Sequence, residues 1–203
     1  MKKLALFTLM ILLTFSWAGA QEEEEIQTLF GGIDSHGGYG AFSLGYTNID
    51  DRDALLMGFR GAWVVNHSLG IGIGGTAFMN EYQFDPLLSE DVNLQGGYGG
   101  LLIEPILGGQ ETFHFSFPVI IGAGGIVHAN DYTHERYYDD YINDSDAFFV
   151  LEPGAELEVN LLKFFRVSVG AFYRYTSNID LYDTDSDVLH GFSYKLTFKF
   201  GKF

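Results

Sequence analysis

Phe192-Ser193-Tyr194-Lys195-Leu196-Thr197-Phe198-Lys199-Phe200 is the stretch that decides the fold. Every second residue is large and apolar, and those between carry a hydroxyl or a positive charge. Side chains alternate sides along an extended strand, so this segment has one aromatic, aliphatic face and one polar face. A helix would scatter both sets around its axis.

The same rhythm recurs upstream, in eight runs between Gly38 and Phe203. Phe165, Val167, Val169, Tyr173 and Tyr175 stand against Arg166, Ser168, Gly170 and Arg174. Phe149, Leu151, Leu157 and Val159 stand against Glu152, Gly154, Glu156 and Glu158. Phe113, Phe115, Phe117, Val119 and Ile121 oppose His114, Ser116, Gly122 and Gly124. Earlier still come Leu69, Ile71 and Ile73 against Gly70, Gly72 and Gly74, and Leu55, Met57, Phe59, Trp63 and Val65 against Gly58, Arg60 and Ala62. The first run sets Phe42, Leu44 and Tyr46 against Ala41, Ser43, Gly45 and Thr47. Asn93 to Ile106 is less regular: Leu101 and Ile103 share a parity, but Tyr98 and Leu102 sit on the other beside Glu104. It is assigned as a strand because the strand count requires it.

In a water-soluble barrel the large apolar face points inward and the outer face carries Lys, Glu and Thr. Here the opposite face is mostly Gly, Ala and Ser with a few Arg and Glu, which suits a crowded lumen and leaves the apolar face for lipid. Trp63, Phe113, Phe115, Phe165, Phe198 and Phe200 fall near one set of strand ends, and Tyr46, Phe149, Tyr173, Tyr175, Phe192 and Tyr194 near the other. Two aromatic girdles are expected at two membrane interfaces. Short connections at Asn66-His67-Ser68, Leu107 to Thr112 and Leu161 to Lys163 alternate with long ones at Asn80 to Asp91, Ala129 to Asp146 and Ser177 to His190; Ile49 to Asp53 is brief. The expected fold is all-β, an eight-stranded antiparallel up-and-down transmembrane β-barrel with both ends in the periplasm.

Composition agrees. The chain has 203 residues, 26 glycines, 4 prolines and 16% aromatics, which favours short strands. A formal charge of -16 argues against a nucleic-acid partner, since no basic surface displaces phosphate counterions. With no cysteine there is no disulfide, thiolate metal site or cysteine-linked lipid anchor. Lys2 and Lys3, the apolar stretch Leu4 to Trp17 and Ala18-Gly19-Ala20 read as a cleaved signal peptide over residues 1–20. An uncleaved membrane helix is the alternative, but the apolar run is shorter than a bilayer span. Residues 21–37 read as an acidic periplasmic leader and residues 38–203 as the barrel. The expected location is the bacterial outer membrane.

The inward parity carries Arg60, Arg166, Arg174, Lys195 and Lys199 against Glu104, Glu152, Glu156 and Glu158, five cations to four carboxylates. Near balance suits a closed lumen, because unpaired buried charge is very costly. The hairpin of the sixth and seventh runs places Glu156 or Glu158 opposite Arg166. The same charges would serve a narrow transport pore, but eight strands leave no continuous channel. His114 and His128 share the inward parity without a metal or nucleophile motif, so no catalytic residue, cofactor or metal is assigned, although outer-membrane lipid-modifying enzymes can share this architecture. The long loops mix acids with Tyr82, Phe84, Tyr132 and Tyr141, a surface suited to adhesion. Asp183, Asp185 and Asp187 are spaced like the start of a calcium loop, but Val188 replaces its glycine and Tyr194 its bidentate Glu, so any divalent-cation site is weak.

With these residues in view, the chain resembles the small OmpX/OmpA-like outer-membrane β-barrel proteins. More narrowly it is similar to a group of short barrels with a Gly-x-Arg-Gly-x-Trp-x-x-Asn-His-Ser run, here Gly58, Arg60, Gly61, Trp63, Asn66, His67 and Ser68. That group tends to close on a phrase like Leu196 to Phe203. The resemblance covers the mature chain and implies location and fold, with outer-membrane lipid as surroundings and no activity. A terminal Phe203 fits the signal read by the barrel-assembly machinery; its parity opposes that of Phe198 and Phe200, so a bulge at Gly201 or another register is expected. The reading is a structural or surface-interaction barrel with a side-chain-filled polar lumen; its external partner is unknown.

Overall fold

The structure is a computed structural model that describes residues 34–85, 90–130, 145–181 and 184–203. The expected signal peptide, most of the expected leader, Asp183 and much of the acidic loop sequence lie outside the described residues.

Ten strands form among the described residues: β1 (His36–Ile49), β2 (Arg52–Val65), β3 (Leu69–Asn80), β4 (Gln83–Asp85), β5 (Glu90–Leu107), β6 (Phe113–Ser116), β7 (Val119–Asn130), β8 (Ser145–Leu162), β9 (Phe165–Thr176) and β10 (Gly191–Lys202). They make a closed ring of eight antiparallel staves, because β6 and β7 together form one stave between β5 and β8, and β10 returns to β1. Short β4 pairs with β5 beyond the ring. The fifth run is thus split at Phe117-Pro118, where proline has no N–H to give the ladder. Phe117 N and Gly154 N instead donate to the carbonyls of Pro105 and Pro118. β1 begins at His36, paired with Val65, so residues 36 and 37 join the wall rather than the leader.

Burial follows the alternation. Phe59, Ile73, Phe113, Phe149, Val169 and Phe192 are more than half exposed, and Leu44, Met57, Leu101, Ile121 and Leu196 are exposed with them. That continuous apolar belt requires lipid as its solvent. A stave of 12 residues, tilted at about 45°, rises ~28 Å and matches the hydrocarbon thickness.

Two tight turns sit at opposite ends of the wall. Asp50 and Asp51 have φ of 58° and 55°, and Asn66 and His67 have 51° and 54°. Paired positive φ values are the geometry whose twist matches antiparallel strands. Asn66 is suited to it, and its Oδ1 also accepts from the backbone N–H groups of Asp34 and Ser35. Ser68 N donates to Val65 O at 3.0 Å and closes the turn. The Gly-x-Arg-Gly-x-Trp-x-x-Asn-His-Ser run is therefore one stave, its lipid-facing Trp63 and its turn.

Irregular β5 is explained by what it faces. Tyr98, Leu102 and Glu104 point inward and are buried, while Leu101 points to lipid. Tyr98 lies where a Cβ on Gly124 of β7 would come within 2.6 Å of its own Cβ. Inward glycines are seats for large inward side chains from neighbouring staves, so β5 carries bulk where β7 carries none.

The interior has two halves. Toward the end opposite the termini it is apolar, with Leu56, Phe78, Leu94, Ile126, Phe148 and Val150 buried together. Ile179, Leu181, Val188 and Leu189, from the connection between β9 and β10, join that cluster and plug the mouth. Toward the termini the interior is charged on one side, with a second apolar cluster of Ala41, Ala62, Val64, Leu102, Ile106 and Ile120 beside it.

Candidate functional site: the charged interior

Strand alternation sends Arg60 of β2, Glu104 of β5, Glu152, Glu156 and Glu158 of β8, Arg166 and Arg174 of β9, and Lys195 and Lys199 of β10 inward, and each is buried. β8 offers carboxylates at three of four successive inward positions, with Gly154 between Glu152 and Glu156, and β10 offers cations; the barrel's curvature brings these separated staves together across the lumen.

Lys199 is the hub. Its Nζ bonds Glu104 Oε1 and Glu158 Oε1 and lies 3.3 Å from Glu156 Oε2. Three buried carboxylates within reach of one point would suit a metal ion, but an ammonium already occupies the middle of the group. Tyr39 adds its hydroxyl to Glu104. Arg60 reaches across to Glu156 at 2.6 Å and to Thr197 Oγ1 at 3.0 Å. One level further from the termini, Lys195 bonds Glu152 at 2.7 Å, and Tyr98 donates to the same carboxylate at 2.5 Å.

Arg166 belongs to the rim nearest the termini. Its Nη1 is 3.7 Å from Glu158 Oε2 and its Nη2 donates to Gly109 O at 3.0 Å. Its guanidinium lies 3.8 Å from the ring centroid of Phe203, and that ring stacks on Tyr39. The register between β1 and β10 runs without a shift from Thr47↔Ser193 to Gly38↔Lys202, so there is no bulge at Gly201. Plain alternation carries Phe203 inward, where it caps the charged interior. The register shift that does occur lies at Asn160/Leu162, between β8 and β9.

His114 and Ser116 both hydrogen-bond Glu158, at 3.1 Å and 2.5 Å. A nucleophilic relay needs serine bonded to histidine and histidine to the acid; here the carboxylate stands between them. His128 lies away from this group, 3.3 Å from Thr184 Oγ1. Asp185 and Asp187 are exposed, and their carbonyls accept from Val188 N and His190 N in a turn. Val188, which stands where a calcium loop has glycine, is buried in the plug.

Ser116 and Thr197 stand on the inward polar parity of the sequence, although nothing in it names their partners, whereas Tyr39, Tyr98 and Phe203 were missed as members of this interior. All five have the inward parity, so the signal was present, but aromatic residues on it read as breaks in the alternation. The plug residues carry no periodic signal.

No protein-family model matches the chain, and no curated protein matches it. Solved structures do. Neisserial surface protein A superposes with a TM-score of 0.54 at 9% identity, covering 82% of this chain and 96% of that one. The N-terminal β-barrel domain of Pseudomonas aeruginosa OprF gives 0.45 at 10% identity, over 81% and 96%. Ail of Yersinia pestis, in complex with sucrose octasulfate, gives 0.42 at 13%, over 82% and 95%. At such identities the likeness concerns fold. The protein is an eight-stranded transmembrane β-barrel. Its solved neighbours are small OmpX/OmpA-like outer-membrane barrels.

Proposed function

We propose that this protein is a closed structural or surface-interaction barrel of the bacterial outer membrane. The observation that carries the proposal is the filled interior: Lys199 sits among Glu104, Glu156 and Glu158, and Ile179, Leu181, Val188 and Leu189 plug the mouth above. Salt bridges that fasten five staves to each other, β2, β5, β8, β9 and β10, serve rigidity, and a rigid wall suits display of the connections at the plugged end. There Tyr82, Phe84, Asp185 and Asp187 are exposed, a surface that offers aromatic contact area and negative charge to an external partner.

Outer-membrane lipid covers the apolar belt in this proposal, and the barrel-assembly machinery receives the C-terminal strand. Because Phe203 ends against Tyr39 and Arg166, that recognition belongs to the unclosed chain, before β10 meets β1.

Planar-bilayer recording separates this proposal from a transport pore. The expected result is no steady unit conductance from the purified barrel. Regular conductance steps that change with Arg60→Ala would overturn it in favour of a charge-selective pore.

A further inference from the structure

Outside the lumen the described residues hold three cations, Arg52, Lys163 and Lys202. Arg52 is paired with Asp50 at 2.6 Å. Lys163 and Lys202 are exposed and form no ion pair among the described residues, in a chain whose formal charge is -16. They also stand near each other. Lys163 and Phe164 make the tight turn between β8 and β9, and Phe164 O accepts from Gly201 N at 3.0 Å, so each lysine adjoins one partner of that bond. Both lie at the rim where β1 begins and β10 ends. Asp34 and Glu111 are the exposed acids of this rim among the described residues, held by Asn66 and Asn160 through their backbones and paired with neither lysine.

The surface around the lysines is apolar. The register shift at Asn160/Leu162 interrupts the alternation of β8, and Leu161 and Leu162 are both exposed, with Phe164 after them. On the lipid face Phe165 and Phe200 stack with ring centroids 4.7 Å apart. The ladder sets Lys202, Gly38 and Trp63 side by side at one level, and Phe200, Gly40 and Gly61 at the next level inward from the rim. All six have the lipid-facing parity. A Cβ built on Gly40 meets nothing within 4 Å, and one on Gly61 meets only Tyr39 O at 3.8 Å. The glycines therefore floor a furrow with Trp63 on one side and Phe200 on the other. Phe42 and Phe59, 5.2 Å apart, close it toward the membrane centre. Lys202 stands at its open end.

We infer that Lys163, Lys202 and this furrow form a binding site for one anionic phospholipid. The headgroup phosphate lies on the two ammonium groups, and the upper methylenes of an acyl chain lie between Trp63 and Phe200. A zwitterionic headgroup carries its own cation, so two lysines without a carboxylate favour a headgroup of net negative charge. The inference rests on lipid covering the apolar belt, and adds which lipid this rim selects.

The test places the protein in phosphatidylcholine vesicles with a minor share of lipid brominated high on its acyl chains, either phosphatidylglycerol or phosphatidylcholine. Bromine quenches tryptophan on contact, and Trp63→Phe supplies the background. Brominated phosphatidylglycerol should match the quenching of Trp63 by brominated phosphatidylcholine at a share about tenfold lower. In the double variant Lys163→Gln, Lys202→Gln the two lipids should quench alike. Equal quenching in the unaltered protein, or a preference that survives the double variant, would overturn the inference. So would loss of the preference when inorganic phosphate is added at constant ionic strength, because the site would then take a free anion. Quenching by neither lipid is a different failure: it would remove lipid from the belt itself, and the inference with it.

Discussion

Arg60 shows how a single residue is held here by partners that lie far away in sequence. Its guanidinium bonds Glu156, 96 positions on, and Thr197, 137 positions on. Replacing it by Met leaves Glu156 with Lys199 at 3.3 Å as its remaining cation. Breaking one partner of a buried pair is expected to cost about 3 kcal/mol. Urea unfolding of the detergent-folded protein should show Arg60→Met well below wild type, with Glu156→Gln in the same chain recovering part of the loss. Lys202→Gln, exposed at the end of β10, should move the midpoint by about 0.5 kcal/mol or less. Equal midpoints for Arg60→Met and Lys202→Gln would mean that Arg60 is solvated. Parity alone identified Arg60 as inward; its choice of Glu156 was invisible, because it depends on which staves face each other across the lumen. The expected direct opposition in the hairpin fails, because Arg166 stands across from Asn160; Glu158, across from Ser168, is a diagonal neighbour at 3.7 Å, a looser contact than the cross-lumen pair at 2.6 Å. Adjacent inward side chains project side by side, whereas opposed ones meet head-on.

At the scale of the element, β5 and β7 are set by small residues. Gly100 pairs with Gly122, and a Cβ on Gly122 would stand 2.0 Å from Gly99 O and 2.7 Å from Gly100 Cα. These are backbone atoms that no rotamer change can clear. Gly122→Ala is expected to cost about 2 kcal/mol or more, because one stave must shift. Gly40→Ala is its control: that position is exposed, and a Cβ there meets nothing within 4 Å. It should leave stability unchanged or raise it by about 0.5–1 kcal/mol, through lost freedom of the unfolded chain. Unfolding midpoints of the two variants check both statements; equal losses would mean that the staves are not in close contact. Seven of the runs were legible as strands because lipid and lumen select opposite side chains at every step. In β5 the small and large inward residues of two neighbouring staves had been exchanged, so its own alternation failed. The split at Phe117-Pro118 was masked for the converse reason: parity persists through the proline although the ladder does not.

At the scale of the whole molecule, export and closure frame everything else. If residues 1–20 are a signal peptide, N-terminal sequencing of the membrane-extracted protein should begin at Gln21, and a chain that retains Met1 would remove the argument for export. Closure joins β1 to β10, the first and last long strands, over the pairs from Gly38↔Lys202 to Thr47↔Ser193, and leaves no stave of the wall with an open edge in hydrocarbon. The chain by itself determined the period-two pattern, hence the strands, their inward and lipid faces, the aromatic girdles and the set of charges that had to be buried. These follow from local chemistry, since each residue meets lipid or lumen according to its parity. The tertiary structure decided the partners within that set, the inward turn of Phe203 and the apolar half of the interior. Those depend on which staves stand opposite one another and on where a non-periodic segment folds, and neither distance is written in the spacing of residues along one strand.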